Sequence, residues 1–145
     1  MADTVEVKYI YPPNFDLAPN TEDHSGTRRV CVQLTSTSDG TGETDVKKVD
    51  ISELRMPDGL PPTRTAVEKI DYMISGMTVK LEWDRAPNSV IALLDGSNGC
   101  ISWQQLGGKV DPSGEGDRTG DILLTTTGAD SGDTYDITMW IKLKR

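Results

Sequence analysis

Histidine occurs once in the 145 residues, at His24 in a polar stretch, so a Ser-His-Asp or Cys-His relay would have only that imidazole as its base. The two cysteines lie in apolar strand-like runs, Val30-Cys31-Val32 and Cys100-Ile101, with nothing beside them to lower a thiol pKa. They read as two buried thiols, with a disulfide as the alternative. A zinc site of nitrogen and sulfur ligands would have to draw on His24, Cys31 and Cys100, and none of these stands at a motif spacing. Calcium is a fairer test. Asp111-Pro112-Ser113-Gly114-Glu115-Gly116 puts oxygens at the first, third and fifth positions of an EF-hand-like loop and glycine at the sixth. The twelfth position is Ile122 where a bidentate Glu is needed, so a solvated turn is the better reading, as it is for Asp39, Glu43 and Asp45. Gly114 to Gly120 carries acids where a phosphate would sit and has no Gly-Lys-Ser/Thr ending. A glycosidase needs two carboxylates at a set separation in space, and spacing in the sequence singles out no pair. The expectation is a protein with no catalytic residues, no cofactor and no metal.

The balance of charge narrows the partners. Fifteen Lys and Arg stand against 23 Asp and Glu, a formal charge of -8. Phosphate-backbone binding draws its affinity from concentrated positive charge, so nucleic acid is not an expected partner. No apolar run approaches the roughly 18 residues of a membrane span, and the first residues lack the basic start and apolar core of a signal peptide. A chain of this length suits one domain, 1–145, able to hide roughly 68–70% of its unfolded surface without a disulfide or metal.

The elements that must position these residues read as β-strands. Residues 4–11 alternate Val5, Val7 and Tyr9 against Glu6 and Lys8. Residues 27–37 alternate Val30, Val32 and Leu34 against Arg29, Cys31 and Gln33, and an Asp39-Gly40 turn suggests a hairpin with 46–51. Ser52 to Pro57 has room for one helical turn at most. Residues 66–75 and 77–83, joined at Gly76, are the best candidate for a central hairpin. Residues 119–145 form two β-rich runs about a Gly/Asp/Ser turn, the second with Tyr135, Ile137, Met139, Ile141 and Leu143 on one side. Helical periodicity is missing throughout. The pattern predicts an all-β, single-domain antiparallel β-sandwich or jelly-roll/barrel-like fold of about eight to ten short strands, with a long N-terminal loop or arm at 12–26.

Candidate contact residues follow from what this fold leaves uncovered. Phe15 and Leu17 are the only large apolar residues of the Asn14–Gly26 stretch, which reads either as an arm anchored on a neighbour or as a surface loop on its own domain. Val90, Ile91 and Leu93 belong to a run without polar interruption, covered on both faces either within the core or at a subunit contact. Trp83 falls on an apolar face and reads as core. Trp140 points away from Tyr135, Ile137 and Met139, which puts it on the outer face of a terminal strand, as a partner surface or beneath one of the protein's own loops.

Lys69-Ile70-Asp71-Tyr72, Leu81-Glu82-Trp83-Asp84, Thr119 to Gly128 and Ser131-Gly132-Asp133-Thr134-Tyr135 together resemble a group of small tailed-bacteriophage virion proteins. The resemblance covers about residues 66–145. It implies a β-rich structural subunit, most like a head cement or decoration protein that binds the major capsid protein lattice. Localisation would be the capsid surface of the virion, after synthesis in the host cytoplasm. The resemblance further implies a homo-oligomer, with a trimer favoured, and attachment through the arm or through the first strand added to a sheet edge. Another virion component (head completion, tail or fibre-associated) and a carbohydrate-binding β-sandwich module are the alternatives.

Overall fold

The computed structural model describes residues 4–11, 29–54, 56, 60–85, 87–95, 98–111 and 119–144. The expected arm at 12–26, with Phe15, Leu17 and His24, lies outside them. Among the described residues, alternating sequence becomes nine strands: β1 (Thr4–Tyr11), β2 (Arg29–Asp39), β3 (Val46–Val49), β4 (Arg64–Ser75), β5 (Thr78–Trp83), β6 (Ser89–Leu94), β7 (Asn98–Ser102), β8 (Ile122–Thr127) and β9 (Ser131–Lys144). They form a five-stranded sheet in the order β1-β2-β9-β4-β7 and a four-stranded sheet in the order β3-β8-β5-β6. All the pairings are antiparallel. With β1 set aside, this is the interleaved double Greek key of a jelly roll, which is the all-β sandwich that the alternation predicts.

The strand partners differ from those expected. Of the eight connections, only β1 to β2 and β5 to β6 stay within one sheet. The three expected hairpins, 27–37 with 46–51, 66–75 with 77–83, and the C-terminal pair, are instead arches that carry the chain from one sheet to the other. At Ser75-Gly76-Met77 the reason is plain. β4 already gives its two edges to β9 and β7, and β5 gives its two to β8 and β6, so neither has an edge left for the other. Gly76, at φ +86°, lets the chain turn out of the sheet plane. The apolar faces of β4 (Ile70, Ile74) and β5 (Val79, Leu81, Trp83) then meet across the core, all at most 4% exposed.

The core lies between the sheets and joins Val30, Val32 and Leu34 of β2, Ile122 and Leu124 of β8, and Ile137, Met139 and Ile141 of β9. Each such side chain contributes on the order of 1.5–3 kcal/mol on full burial. Trp83 is buried as its apolar strand face implies, and its indole N–H donates to Thr65 Oγ1 at 3.3 Å. Thr65 in turn donates to the Gly120 carbonyl at 2.9 Å, so the polar edge of the ring is satisfied inside the core. The helical turn expected within Ser52 to Pro57 starts one residue earlier, as a 3-10 turn at Ile51–Glu53 where Asp50 accepts from the Ser52 backbone N–H at 3.0 Å, and a second 3-10 turn, Gln104–Leu106, follows β7.

Bulges break the alternation at several points. The register shifts between Lys47 and Val49 on β3, between Val67 and Lys69 on β4, and opposite Leu81 and Glu82 on β6. The extra residues are Lys48, Glu68 and Ile91, and all three are buried. A bulge re-aims a side chain that strict alternation would send elsewhere.

Candidate functional site

The groups that could do chemistry are engaged in holding strands together. Asp111, first in the calcium-like hexapeptide, pairs with Arg85 at 3.0 Å, and both side chains are buried. Asp39 accepts from the Thr41 N–H and hydroxyl, which closes a turn. Asp45 accepts from the Thr125 hydroxyl at 3.2 Å. Glu43 is buried between the Lys48 ammonium and the Tyr135 hydroxyl, at 2.5 Å from each. Glu68, re-aimed by its bulge, takes two hydrogen bonds from the Arg29 guanidinium at 2.8 and 3.1 Å across β9. Among the described residues no three His, Cys, Asp or Glu side chains gather to hold a metal ion.

The two cysteines part company. Cys31 is 3% exposed, as expected of a buried thiol, and burial followed by the charge of Asp71 pushes its pKa up. Cys100 is exposed and free, which corrects the expectation of two buried thiols. Its place on β7 explains this, because β7 is an edge strand with most of its residues open to solvent. A hydrogen bond to Asp71, helped by slight desolvation and the carboxylate charge, holds this thiol above its ordinary pKa. Asp71, Met73, Asn98, Cys100, Asp136 and Thr138 line a shallow open groove of about 460 Å³ on the outer face of the five-stranded sheet.

The proposed contact residues fall in different places. Phe15 and Leu17 lie outside the described residues. Trp140 is on the outer face as alternation requires, but β9 is the middle strand of its sheet and not an edge, with Cys31 on one side and Lys69 on the other. It is half-buried there. Ile91 is 1% exposed and belongs to the core, so it leaves the contact set. Val90 and Leu93 are 44% and 70% exposed on the outer face of the four-stranded sheet. The bulge at Ile91 makes them neighbours there, since Val90 pairs with Glu82 and Leu93 with Lys80, two positions on one face of β5. β6 is an edge strand, and its Ile91 carbonyl accepts from the Lys109 ammonium at 2.7 Å. Lys109 also exchanges backbone hydrogen bonds with Val67 at 2.9 and 2.7 Å, which ties the edge to the opposite sheet.

The first strand, which the family resemblance offered as an attachment, is β1, and it is open on its inner face as well as at its edge. Val5 and Val7 pair with Ser36 and Leu34 and so share the inward face of the five-stranded sheet. Leu34 is 0% exposed, whereas Val5 and Val7 are 36% and 38% exposed. The alternation was visible in the sequence, but the number of strands in the facing sheet was not. Four strands opposite five leave the outermost strand partly uncovered.

No family model matches the chain, and no curated protein matches it. A solved structure described as "CBM4 structure and function" is similar over 78% of this chain and 80% of its own, at 10% identity and a TM-score of 0.27. A likeness of that size carries no argument about fold or function.

Proposed function

We propose that the chain is a structural subunit of a phage virion, a head cement or decoration protein that binds the major capsid protein lattice at the capsid surface. The observation that carries this reading is the side-by-side exposure of Val90 and Leu93 at the edge of the four-stranded sheet. Two adjacent aliphatic side chains beside the partly exposed Lys80, which lies 3.8 Å from the buried Glu82, make a small apolar anchor with a polar border. Burying a leucine side chain is worth on the order of 1.5–3 kcal/mol, too little alone but sufficient when a lattice repeats the contact. The segments that resemble phage proteins lie on β4, β5, β8 and β9 or at their ends, the middle strands of both sheets, so the resemblance concerns the scaffold that carries the anchor.

The test is co-sedimentation of the purified protein with mature capsids, unexpanded proheads and free capsid subunits. Binding to mature capsids alone is the expected result, and Val90→Asp/Leu93→Asp should weaken it at least tenfold with the fold intact by circular dichroism. Unchanged capsid binding by that variant removes the anchor from the reading. Failure to bind any capsid form, together with binding on a glycan array, overturns the cement role in favour of a carbohydrate-binding module.

A further inference from the structure

β1 is the outer strand of the five-stranded sheet, and among the described residues its only strand partner is β2. An unpaired strand edge of eight residues is a template for another strand. Natural proteins blunt such edges with proline, edge lysines, inward charges or a covering element; on Val5 to Lys8 the valines face inward and the two outward charges are of opposite sign, so they repel most strands but can be matched by a partner with the complementary order. Glu6 and Lys8 sit on the outer face, 3.5 Å apart and more than half exposed.

We propose that β1 pairs antiparallel with β1 of a second copy, about a two-fold axis beside Val7, joining the two five-stranded sheets into one. The charges select this register. For the inward faces of both copies to stay on one side, opposed residue numbers must sum to an even number. An axis beside Glu6 opposes two glutamates and one beside Lys8 opposes two lysines, both unfavourable. An axis beside Val7 sets Glu6 against Lys8 of the second copy and Lys8 against its Glu6, so the same short sequence satisfies itself twice. It also places the partly exposed Val7 of each copy against its twin, and Val5 flanks the same apolar seam. The partner is thus a copy of this chain and the symmetry is two-fold, in place of the three-fold that the phage resemblance implies. The inference is independent of the capsid reading, since it is tested without capsids.

Sedimentation velocity and light scattering on the full chain read the outcome. The wild type should run as a dimer at micromolar to hundred-micromolar concentration. Glu6→Lys and Lys8→Glu should each raise the dimer Kd by about tenfold or more, because two attractive cross-strand pairs become two repulsive ones. An equimolar mixture of those two variants should associate as a heterodimer, and Glu6→Lys/Lys8→Glu should recover the homodimer. In a Cys100→Ser background, Val7→Cys should form an intermolecular disulfide on mild oxidation. A monomer throughout this range, a trimer, or a dimer whose Kd ignores both charge reversals overturns the proposal.

Discussion

Removing Lys48 should destabilise the protein far more than removing a surface lysine. Lys48 is the bulge residue of β3, and its ammonium meets Glu43 at 2.5 Å with side-chain exposures of 2% and 8%. The other oxygen of Glu43 accepts from Tyr135 of β9, so the network spans the two sheets. The Glu43 backbone is fixed independently, since its N–H donates to Thr126 Oγ1 and its carbonyl accepts from the Thr126 N–H. The carboxylate therefore has little freedom to swing out to water when its partner is lost. Lys48→Ala leaves a buried charge answered only by a phenol, a change that costs about 3–5 kcal/mol. At roughly 3–4 °C per kcal/mol for a chain of this size, Tm should fall by about 10–20 °C. Replacing the whole network by Glu43→Leu/Lys48→Met/Tyr135→Phe removes the desolvation cost along with the attraction, and should lie within about 2 kcal/mol of wild type. Urea unfolding of wild type, the single variants and the triple variant gives these values directly. If Lys48→Ala costs less than about 1 kcal/mol, the pair behaves as a solvated surface bridge and the reasoning fails. A triple variant as unstable as the single one would refute the desolvation argument.

Three further outcomes follow from the geometry. A maleimide or disulfide-exchange reagent should label one thiol in the native protein and two in denaturant, and Cys100→Ser should abolish the native label. Because Asp71 disfavours the Cys100 thiolate, Asp71→Asn should speed native labelling near pH 8; an unchanged rate would remove that hydrogen bond from the account. Gly120 has φ +83°, and a Cβ there would lie 2.9 Å from the Arg64 Cα, a backbone atom that cannot rotate away. Gly107→Ala, at φ +79° with open space for its Cβ, should cost only the backbone strain of about 1–3 kcal/mol in chemical unfolding, and Gly120→Ala should cost measurably more, because it adds the clash to the same strain. The hydrogen bond and charge of Asp121 raise the pKa of Lys47, so its contribution is complete below the ordinary lysine value of 10.5 and is lost as pH rises through the raised value. Asp50 is lowered by its bonds to Ser52, so its contribution is present above 3.8 and is lost as pH falls through the lowered value. Unfolding midpoints across pH 2–12 should show both losses, with Lys47→Met removing the alkaline one.

The alternation of Val30, Val32 and Leu34, of Val79, Leu81 and Trp83, and of Tyr135 to Leu143 settled the strands and their core faces by itself. A two-residue period is a local property of extended chain, so no distant contact is needed to read it. It also placed Trp83 inside and Trp140 outside. Which strands are neighbours was a different matter. The turns at Gly40, Gly76 and Gly128 suit a hairpin and an arch alike, and only the competition of nine strands for a limited set of edges chose the arches. Bulges were equally hidden, because one extra residue is defined by the partner it fails to meet. Tertiary structure alone therefore buried Ile91, turned Lys48 and Glu68 onto their acid and arginine partners, and set Val90 beside Leu93 on an open face. The exposure of Cys100 and the uncovered side of β1 have the same origin: both depend on being last in a sheet, and strand order is written in long-range pairing that no local pattern contains.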